Sequence, residues 1–136
     1  MIRPAPIVFA LFLTPFLLAA EAPKPMKNRV FELRTYTAFP GRAEAMHKRF
    51  RDHTCKLFET HGIELMGFWI PQKEADKNKL VYMLAYPSKA AADASWKAFR
   101  DDPEWIKVRD ASEKDGKIVE KVESVYMDPT DYSTVK

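Results

Sequence analysis

The stretch VFELRTYT, residues 30–37, decides the fold. Its side chains alternate strictly between two faces, which is the period of a β-strand, and Val, Phe, Thr and Tyr favour a pleated surface. An acid, a base and a phenol stand in line on one face, as Glu32, Arg34 and Tyr36. In a central strand, such groups either line a cavity or meet partners across an interface.

The segments on either side of this strand predict an α+β fold. A buried stripe at steps of three and four, which includes Phe50, Thr54 and Leu57, predicts a helix from about residue 42 to residue 60, and Gly62 ends this helix. The remaining elements are predicted as strand 63–70, strand 79–86, helix 89–100, a short helix opening at Pro103, and strand 118–127. The order strand, helix, strand, strand, helix, strand is that of the ferredoxin-like split unit, a four-stranded antiparallel sheet with helices on one face. Its usual strand order, 4-1-3-2, makes strand 30–37 central.

The second and third strands carry two further predictions. Strict alternation in strand 63–70 sets Leu65, Gly67 and Trp69 on one face, and a glycine inside a strand predicts a bulge or a close backbone approach. Strand 79–86 is apolar on both faces, although the helices of this fold cover only one. An uncovered apolar face requires a partner. The sequence therefore predicts a homodimer that packs sheet against sheet.

The N-terminal segment has the composition of a secretory signal peptide. Arg3 is the only charged residue before Glu21, and an apolar run over residues 5–20 ends in small residues suited to cleavage. This run is shorter than the about 20 residues that a membrane span needs. We predict a signal peptide over residues 1–20 and a flexible lead-in over residues 21–28. The product is expected to be exported, periplasmic or secreted, with no stable membrane insertion after cleavage; an uncleaved anchor is the alternative.

Composition excludes several classes of function. The 136 residues, 46% hydrophobic and 30% charged, fit one globular domain. A net charge of +3 is too small to indicate a nucleic-acid partner. Cys55 is the only cysteine, so no intrachain disulfide can form. A helical wheel sets its thiol on the polar side with no base beside it, which predicts an exposed spectator thiol.

The first helix carries His47, His53 and His61, which invite a metal site. At 1.5 Å per residue, His47 and His61 are separated by about 21 Å along the helix axis. No Cys/His spacing of the zinc-binding type exists either, so neither a metal nor a cofactor is predicted. We expect His61, next to the Gly62 cap, to be a hydrogen-bonded structural residue. The basic residues of this helix are expected to form a solvated face, with a membrane-surface role as the alternative; they are Arg42, Lys48, Arg49, Arg51 and Lys56.

Several short motifs, in this order, resemble those of the NIPSNAP family. They are Phe31-Glu32-Leu33-Arg34-Thr35-Tyr36, Pro40-Gly41, His61-Gly62, Gly67-Phe68-Trp69, Asp102-Pro103-Glu104-Trp105 and Pro129-Thr130-Asp131-Tyr132-Ser133. The resemblance covers about residues 29–133. It implies a dimeric α/β barrel built from two ferredoxin-like halves. The wider group includes small oxygenases, isomerases, haem-handling enzymes and proteins with no known reaction.

Two interpretations of the polar row on the first strand stay open. In the first, Arg34 binds an anionic or carbonyl group of a small ligand and Tyr36 orients it, in a pocket that aromatic residues line. The candidate ligand-binding residues are Glu32, Arg34, Tyr36, His61, Trp69 and Tyr82. In the second, Arg34 pairs with Glu32, or with Glu120 or Glu123 of the fourth strand, and locks the sheet or the dimer.

Two functions from different classes follow. The first is a non-catalytic module that binds a small hydrophobic or anionic ligand or a protein partner. The second is a cofactor-independent or haem-handling monooxygenase or isomerase with Arg34 and Tyr36 in its site. The sequence favours the first, because it contains no nucleophile–base pair, metal-ligand set or phosphate-binding loop.

Overall fold

A computed structural model describes residues 29–136. The predicted signal peptide (1–20) and lead-in (21–28) lie outside these residues. The strands are β1 (Val30–Ala38), β2 (Glu64–Trp69), β3 (Lys79–Tyr86) and β4 (Val119–Met127). The helices are α1 (Ala43–Arg49), a π-helical segment (Phe50–Thr54), α2 (Cys55–Thr60), a 3₁₀ turn (Glu74–Asp76), α3 (Lys89–Asp101) and α4 (Pro103–Ser112).

The sheet has the predicted topology. Its strand order is β2-β3-β1-β4, and all neighbouring strands are antiparallel. β1 is therefore central, which places the polar row in the middle of the molecule. This arrangement confirms the ferredoxin-like α+β fold. Turn chemistry explains the boundaries: Gly41 and Gly62 adopt φ of 75° and 74°, the left-handed region that favours glycine.

A bulge in β2 confirms one prediction and overturns another. The register with β3 shifts between Leu65 and Gly67, next to the glycine that predicted the irregularity. The extra residue ends the strict alternation, so Leu65 pairs with the buried Leu84, whereas Gly67 pairs with Met83. The prediction that Leu65 shares a face with Gly67 and Trp69 is therefore wrong. The indole of Trp69 packs on Gly67: a Cβ at residue 67 would lie 2.6 Å from its Cη2.

The π-helical segment changes which residues of the first helical region are buried. Thr54 Oγ1 donates to the carbonyl of Arg49, five residues earlier, at 3.2 Å. A π turn contains more residues than an α turn, so the buried stripe moves along by one residue, to Phe58 instead of Leu57. The same rotation brings Cys55 against the core, where burial raises the pKa of its thiol. The prediction of an exposed thiol is therefore wrong.

The helix α4 corrects a second expectation about this region. The short helix predicted at Pro103 continues to Ser112 and lies beside α1. It covers Arg49, whose residual exposure is only 5%. Arg49 therefore does not belong to the solvated basic face, although Lys48, Arg51 and Lys56 are exposed as predicted.

The two faces of the sheet differ in cover and chemistry. The helix-covered face carries the main core, an aromatic cluster built around Phe50, Phe58 and Tyr82. On the open face, Trp69 and Val125 are 52% and 56% exposed. The C-terminal residues run along one side of this face, where an apolar groove of about 480 Å³ is lined by Phe31, Met66, Trp69, Met83, Met127, Pro129 and Val135. Within residues 29–136, no helix is both long and apolar enough to cross a membrane.

Candidate functional site

The acid of the polar row, Glu32, lies at the centre of a hydrogen-bond network. Its side chain is fully buried in the central strand. Oε1 accepts from Arg34 Nη1 at 2.5 Å and from the Ser124 hydroxyl at 2.6 Å. Oε2 accepts from the Tyr86 hydroxyl at 2.6 Å and from Trp96 Nε1 at 2.8 Å. A carboxylate offers about four lone-pair positions, and these four donors occupy them.

The network comes together from four elements. β1 supplies Glu32 and Arg34, β3 supplies Tyr86, and β4 supplies Ser124 opposite Arg34. Trp96 reaches Glu32 from α3, whose buried face repeats apolar residues at steps of three and four. The Ser88 hydroxyl fixes the start of α3 by accepting from the Ala91 N–H at 3.1 Å.

These contacts determine the charge state of the acid. Burial raises the pKa of Glu32, but its hydrogen bonds, led by that from Ser124, outweigh burial and bring the pKa below the ordinary value. The side chain is therefore an ionised carboxylate at neutral pH. Because its lone pairs are filled, it has no position for a substrate proton and cannot serve as a general base in this arrangement. Burial raises the pKa of Tyr86, so this partner stays a neutral hydroxyl donor.

The base of the row, Arg34, uses all three of its nitrogens. Besides Nη1 on Glu32, Nε donates to the Tyr82 hydroxyl at 3.0 Å and Nη2 makes a long contact of 3.4 Å with the Tyr36 hydroxyl. The guanidinium also stacks over the Trp96 ring, 4.2 Å from its centroid. The structure therefore contains the predicted pair with Glu32. The proposed pairing of Arg34 with Glu120 or Glu123 is wrong, because the fourth strand contributes a serine at this position.

Solvent reaches the row from the β4 side. The Arg34 side chain is 14% exposed, and Ser124, its partner on β4, is exposed. Val122, opposite Tyr36, is 45% exposed. The helices therefore cover β1 and β3 but stop short of β4. Since Nη2 has only a weak partner, Arg34 could still donate to an anion or a carbonyl oxygen that enters along β4.

The structure brings together some of the predicted site residues and separates others. Glu32, Arg34, Tyr36 and Tyr82 lie together on the helix-covered face. Trp69 lies on the opposite face of the sheet, away from the row. His61 ends α2, where its Nε2 lies 2.7 Å from Asp102 Oδ2, the N-cap of α4. This contact matches the expected structural role of His61, because it links two helix ends.

Sequence reasoning missed three members of the network, namely Tyr86, Trp96 and Ser124. They are 54, 64 and 92 residues from Glu32 along the chain. The available signal was an acid in the middle of a buried strand, because such a carboxylate requires donors from neighbouring elements. Among the described residues, no group of three or more His, Cys, Asp or Glu side chains could hold a metal ion.

Comparisons with known proteins agree with this architecture. A family model described as NIPSNAP matches residues 31–134. A NIPSNAP family protein with unknown function from Agrobacterium tumefaciens has a TM-score of 0.69 at 23% identity, over 81% of this chain and 96% of that chain. A NIPSNAP-like domain protein from Burkholderia xenovorans has a TM-score of 0.68 at 15% identity, over 79% and 90%.

A more distant likeness connects the fold to another group. A protein from Bacteroides thetaiotaomicron, whose name provisionally assigns it as an antibiotic biosynthesis monooxygenase, has a TM-score of 0.52 at 16% identity, over 82% of this chain and 97% of that chain. At such identities the likeness concerns the fold alone. No curated protein matches the chain.

Proposed function

Because the chain belongs to the NIPSNAP family, we propose that it is an exported homodimeric binding module and not an enzyme. The observation that carries this proposal is the open apolar face of the sheet. Half of the surface of Trp69 and more than half of that of Val125 are in contact with water. Removing this apolar surface from water favours association, so a second copy that covers the face is the simplest stabilising partner.

The chemistry of the polar row supports binding over catalysis. Glu32 is the one fully buried acid of the described residues, and four donors fill it. A catalytic base needs a free lone pair directed at the substrate. The network therefore connects β1, β3, β4 and α3 within each copy and keeps the sheet rigid beneath its open face.

Two valines on β4 provide a matched test of the dimer. Val125 lies on the open face and Val122 on the helix-covered side of the same strand, and both are exposed. In sedimentation at micromolar concentration, we expect the mature wild type and Val122→Glu to have about twice the mass of the mature chain. Val125→Glu should sediment as a monomer, because a carboxylate would be buried without a partner. A monomeric wild type, or a Val125→Glu dimer, would contradict the proposal.

Export is tested separately, by mass spectrometry of protein purified from its native host. The apolar segment over residues 5–20 motivates it. We expect an N-terminus at or near Glu21. A full-length chain in the cytosolic fraction would contradict export and leave the dimer proposal untouched.

A small-molecule site at Arg34 is the second candidate, and it would accommodate the monooxygenase or isomerase hypothesis. The observation that favours it is the partial access to Arg34 beside Tyr36. A ligand bound there raises the melting midpoint of the wild type in a thermal-shift screen. Arg34→Lys keeps the charge and loses the two-pronged geometry, so the same ligand should shift its midpoint much less. An equal shift in both proteins would place the ligand elsewhere.

A further inference from the structure

A groove on the outer side of the helix layer is separate from both the polar row and the open face. It has a volume of about 430 Å³ and lies between the first helical region and α4. A second hollow of about 270 Å³ adjoins it and shares Asp52, His53, Glu104 and Val108 with it. Together they form a channel between the first helical region and α4. Its volume is within the usual range of small-molecule sites.

A buried arginine with an unused edge lies in this groove. Arg49 lines it and is 5% exposed. Among residues 29–136, both of its hydrogen bonds come from Nη1, to Ser112 Oγ at 3.3 Å and to Glu113 Oε1 at 3.2 Å. Its Nε is buried and has no partner within residues 29–136. Buried donors are nearly always satisfied in native proteins, so this one requires an explanation.

The unused edge has the geometry that carboxylates prefer. The N–H groups of Nε and Nη2 point in parallel from the same side of a guanidinium, and this pair binds a carboxylate with two hydrogen bonds. Nη1 is held by Ser112 and Glu113, and the other two nitrogens have no partner among the described residues. Because Nε is closed to solvent, a carboxylate engages this pair by displacing the side chains that cover it. The weak stacking of the guanidinium on Trp105, 5.3 Å from the ring centroid, fixes its plane without using these donors.

The rest of the lining limits the ligand class. Ala45, Val108 and Ala111 offer apolar surface beside Arg49. Asp52 and Glu104 also line the groove, and the charge of Asp52 is largely matched by Lys48 at 2.5 Å. Lys48 and Lys107 line the groove too, so its basic side chains, with Arg49, outnumber its acids and favour an anionic ligand. A carboxylate on an apolar body therefore fits this lining.

We propose that this groove binds a small amphipathic monocarboxylate, with the carboxylate on the Nε–Nη2 edge of Arg49. Its hydrocarbon body lies against Val108 and Ala111. This site does not depend on the dimer or on Arg34, because no residue of the groove belongs to the open face or to the polar row.

Arg42 provides an internal contrast and a control. Its Nη2 donates to the carbonyls of Ser112 and Gly116, at 3.2 and 3.0 Å, and so anchors the end of α4. Its Nε is buried and has no partner among residues 29–136, as is true of Arg49, but Arg42 does not line the groove. Arg42 thus anchors the end of α4, so the Nε–Nη2 edge of Arg49 is not needed for that role.

Octanoate, with octan-1-ol as the neutral control, tests the proposal on the purified protein. Backbone amide shifts followed by NMR should report saturable binding of octanoate with the largest changes at Ala45, Val108 and Ala111. Octan-1-ol should bind at least tenfold more weakly, because it cannot form the charge-assisted pair. Arg49→Met should lose octanoate binding at least tenfold, whereas Arg42→Met should keep it.

A variant that does not disturb Arg49 keeps the test decisive if Arg49→Met unfolds. Ala111 is exposed on α4, so Ala111→Phe fills the groove without removing a core contact, and it should abolish octanoate binding. Ala98→Phe, at an exposed position of α3 away from the groove, should leave binding unchanged. The proposal is overturned by a wild type that does not respond to octanoate, by equal binding of octan-1-ol, or by an Ala111→Phe variant that binds like the wild type.

Discussion

Two largely buried arginines, Arg34 beneath the helices and Arg49 between α1 and α4, have similar surroundings. Each pairs with a glutamate, and each stacks over a tryptophan, at 4.2 and 5.3 Å from the ring centroid. They differ in how their donors are used. Arg34 engages all three nitrogens, whereas the hydrogen bonds of Arg49 within residues 29–136 all come from Nη1. Burial of a charge therefore does not separate a structural residue from a binding residue, but unused donors on a side chain that lines a groove point to binding.

The acids opposite the two arginines differ in the same sense. Glu32 is fully buried, so its charge depends entirely on protein donors. Glu113 is 26% exposed and can exchange its arginine for water. A complete, buried network strengthens each of its members, while a half-exposed pair contributes little. The comparison predicts that substitutions of Arg34 and Glu32 destabilise the protein more than a substitution of Arg49.

Arg34→Ala should have the largest effect. It leaves a buried carboxylate without its positive partner, which typically costs about 3–5 kcal/mol of unfolding free energy. For a domain of this size, the melting midpoint should fall by roughly 10 °C or more in calorimetry. Arg34→Lys, the matched control, keeps the charge and should recover part of the loss. A stable Arg34→Ala variant would move Arg34 into the same class as Arg49.

Glu32→Gln should have an intermediate, pH-dependent effect. At pH 7 it removes hydrogen bonds to a charged acceptor, and the loss should be about 2–3 kcal/mol in urea unfolding. Because the folded-state pKa of Glu32 is lowered, its stabilising contribution is complete above the ordinary value near 4.5 and is lost as the pH falls through the folded pKa. The wild type and the variant should thus converge in stability as the pH is lowered below 4.5 and through the folded-state pKa. A difference that stays constant over this range would show that the charge of Glu32 is not what stabilises the network.

Arg49→Met should have the smallest effect, about 1 kcal/mol or less in urea unfolding. It removes a pair whose acid remains partly hydrated, together with a donor that has no partner. Methionine keeps most of the apolar stem that packs beside Trp105. If Arg49→Met destabilised the protein as much as Arg34→Ala, the two arginines would both be structural and the comparison would fail.

The order and pairing of the strands were predictable because their signals are local. Alternation in residues 30–37 and the prolines between elements, at positions 40, 71, 87, 103 and 129, define the elements. The ferredoxin-like order then makes β1 central. The errors arise where one inserted residue changes the period. The bulge at Leu65–Gly67 reverses part of β2, and the π-helical segment moves burial from Leu57 to Phe58.

The polar row was predictable from its sequence, but its surroundings were not. The pair of Glu32 and Arg34 lies two residues apart on one strand face, which sequence alone can recognise. The donors from Tyr86, Trp96 and Ser124 become neighbours only after the sheet and α3 assemble. Likewise, the burial of Arg49 depends on how far α4 extends, and no feature of α1 indicates it.

The packing of Trp69 on Gly67 couples the side chains that these two positions can accept. A Cβ at residue 67 would lie 2.6 Å from the indole, so any side chain there requires the half-exposed ring to rotate away from the sheet. A smaller residue at position 69 would remove this clash, and alanine at position 67 would then fit beside it. The side chain at residue 69 therefore decides which residues position 67 accepts while the ring keeps its place on the open face.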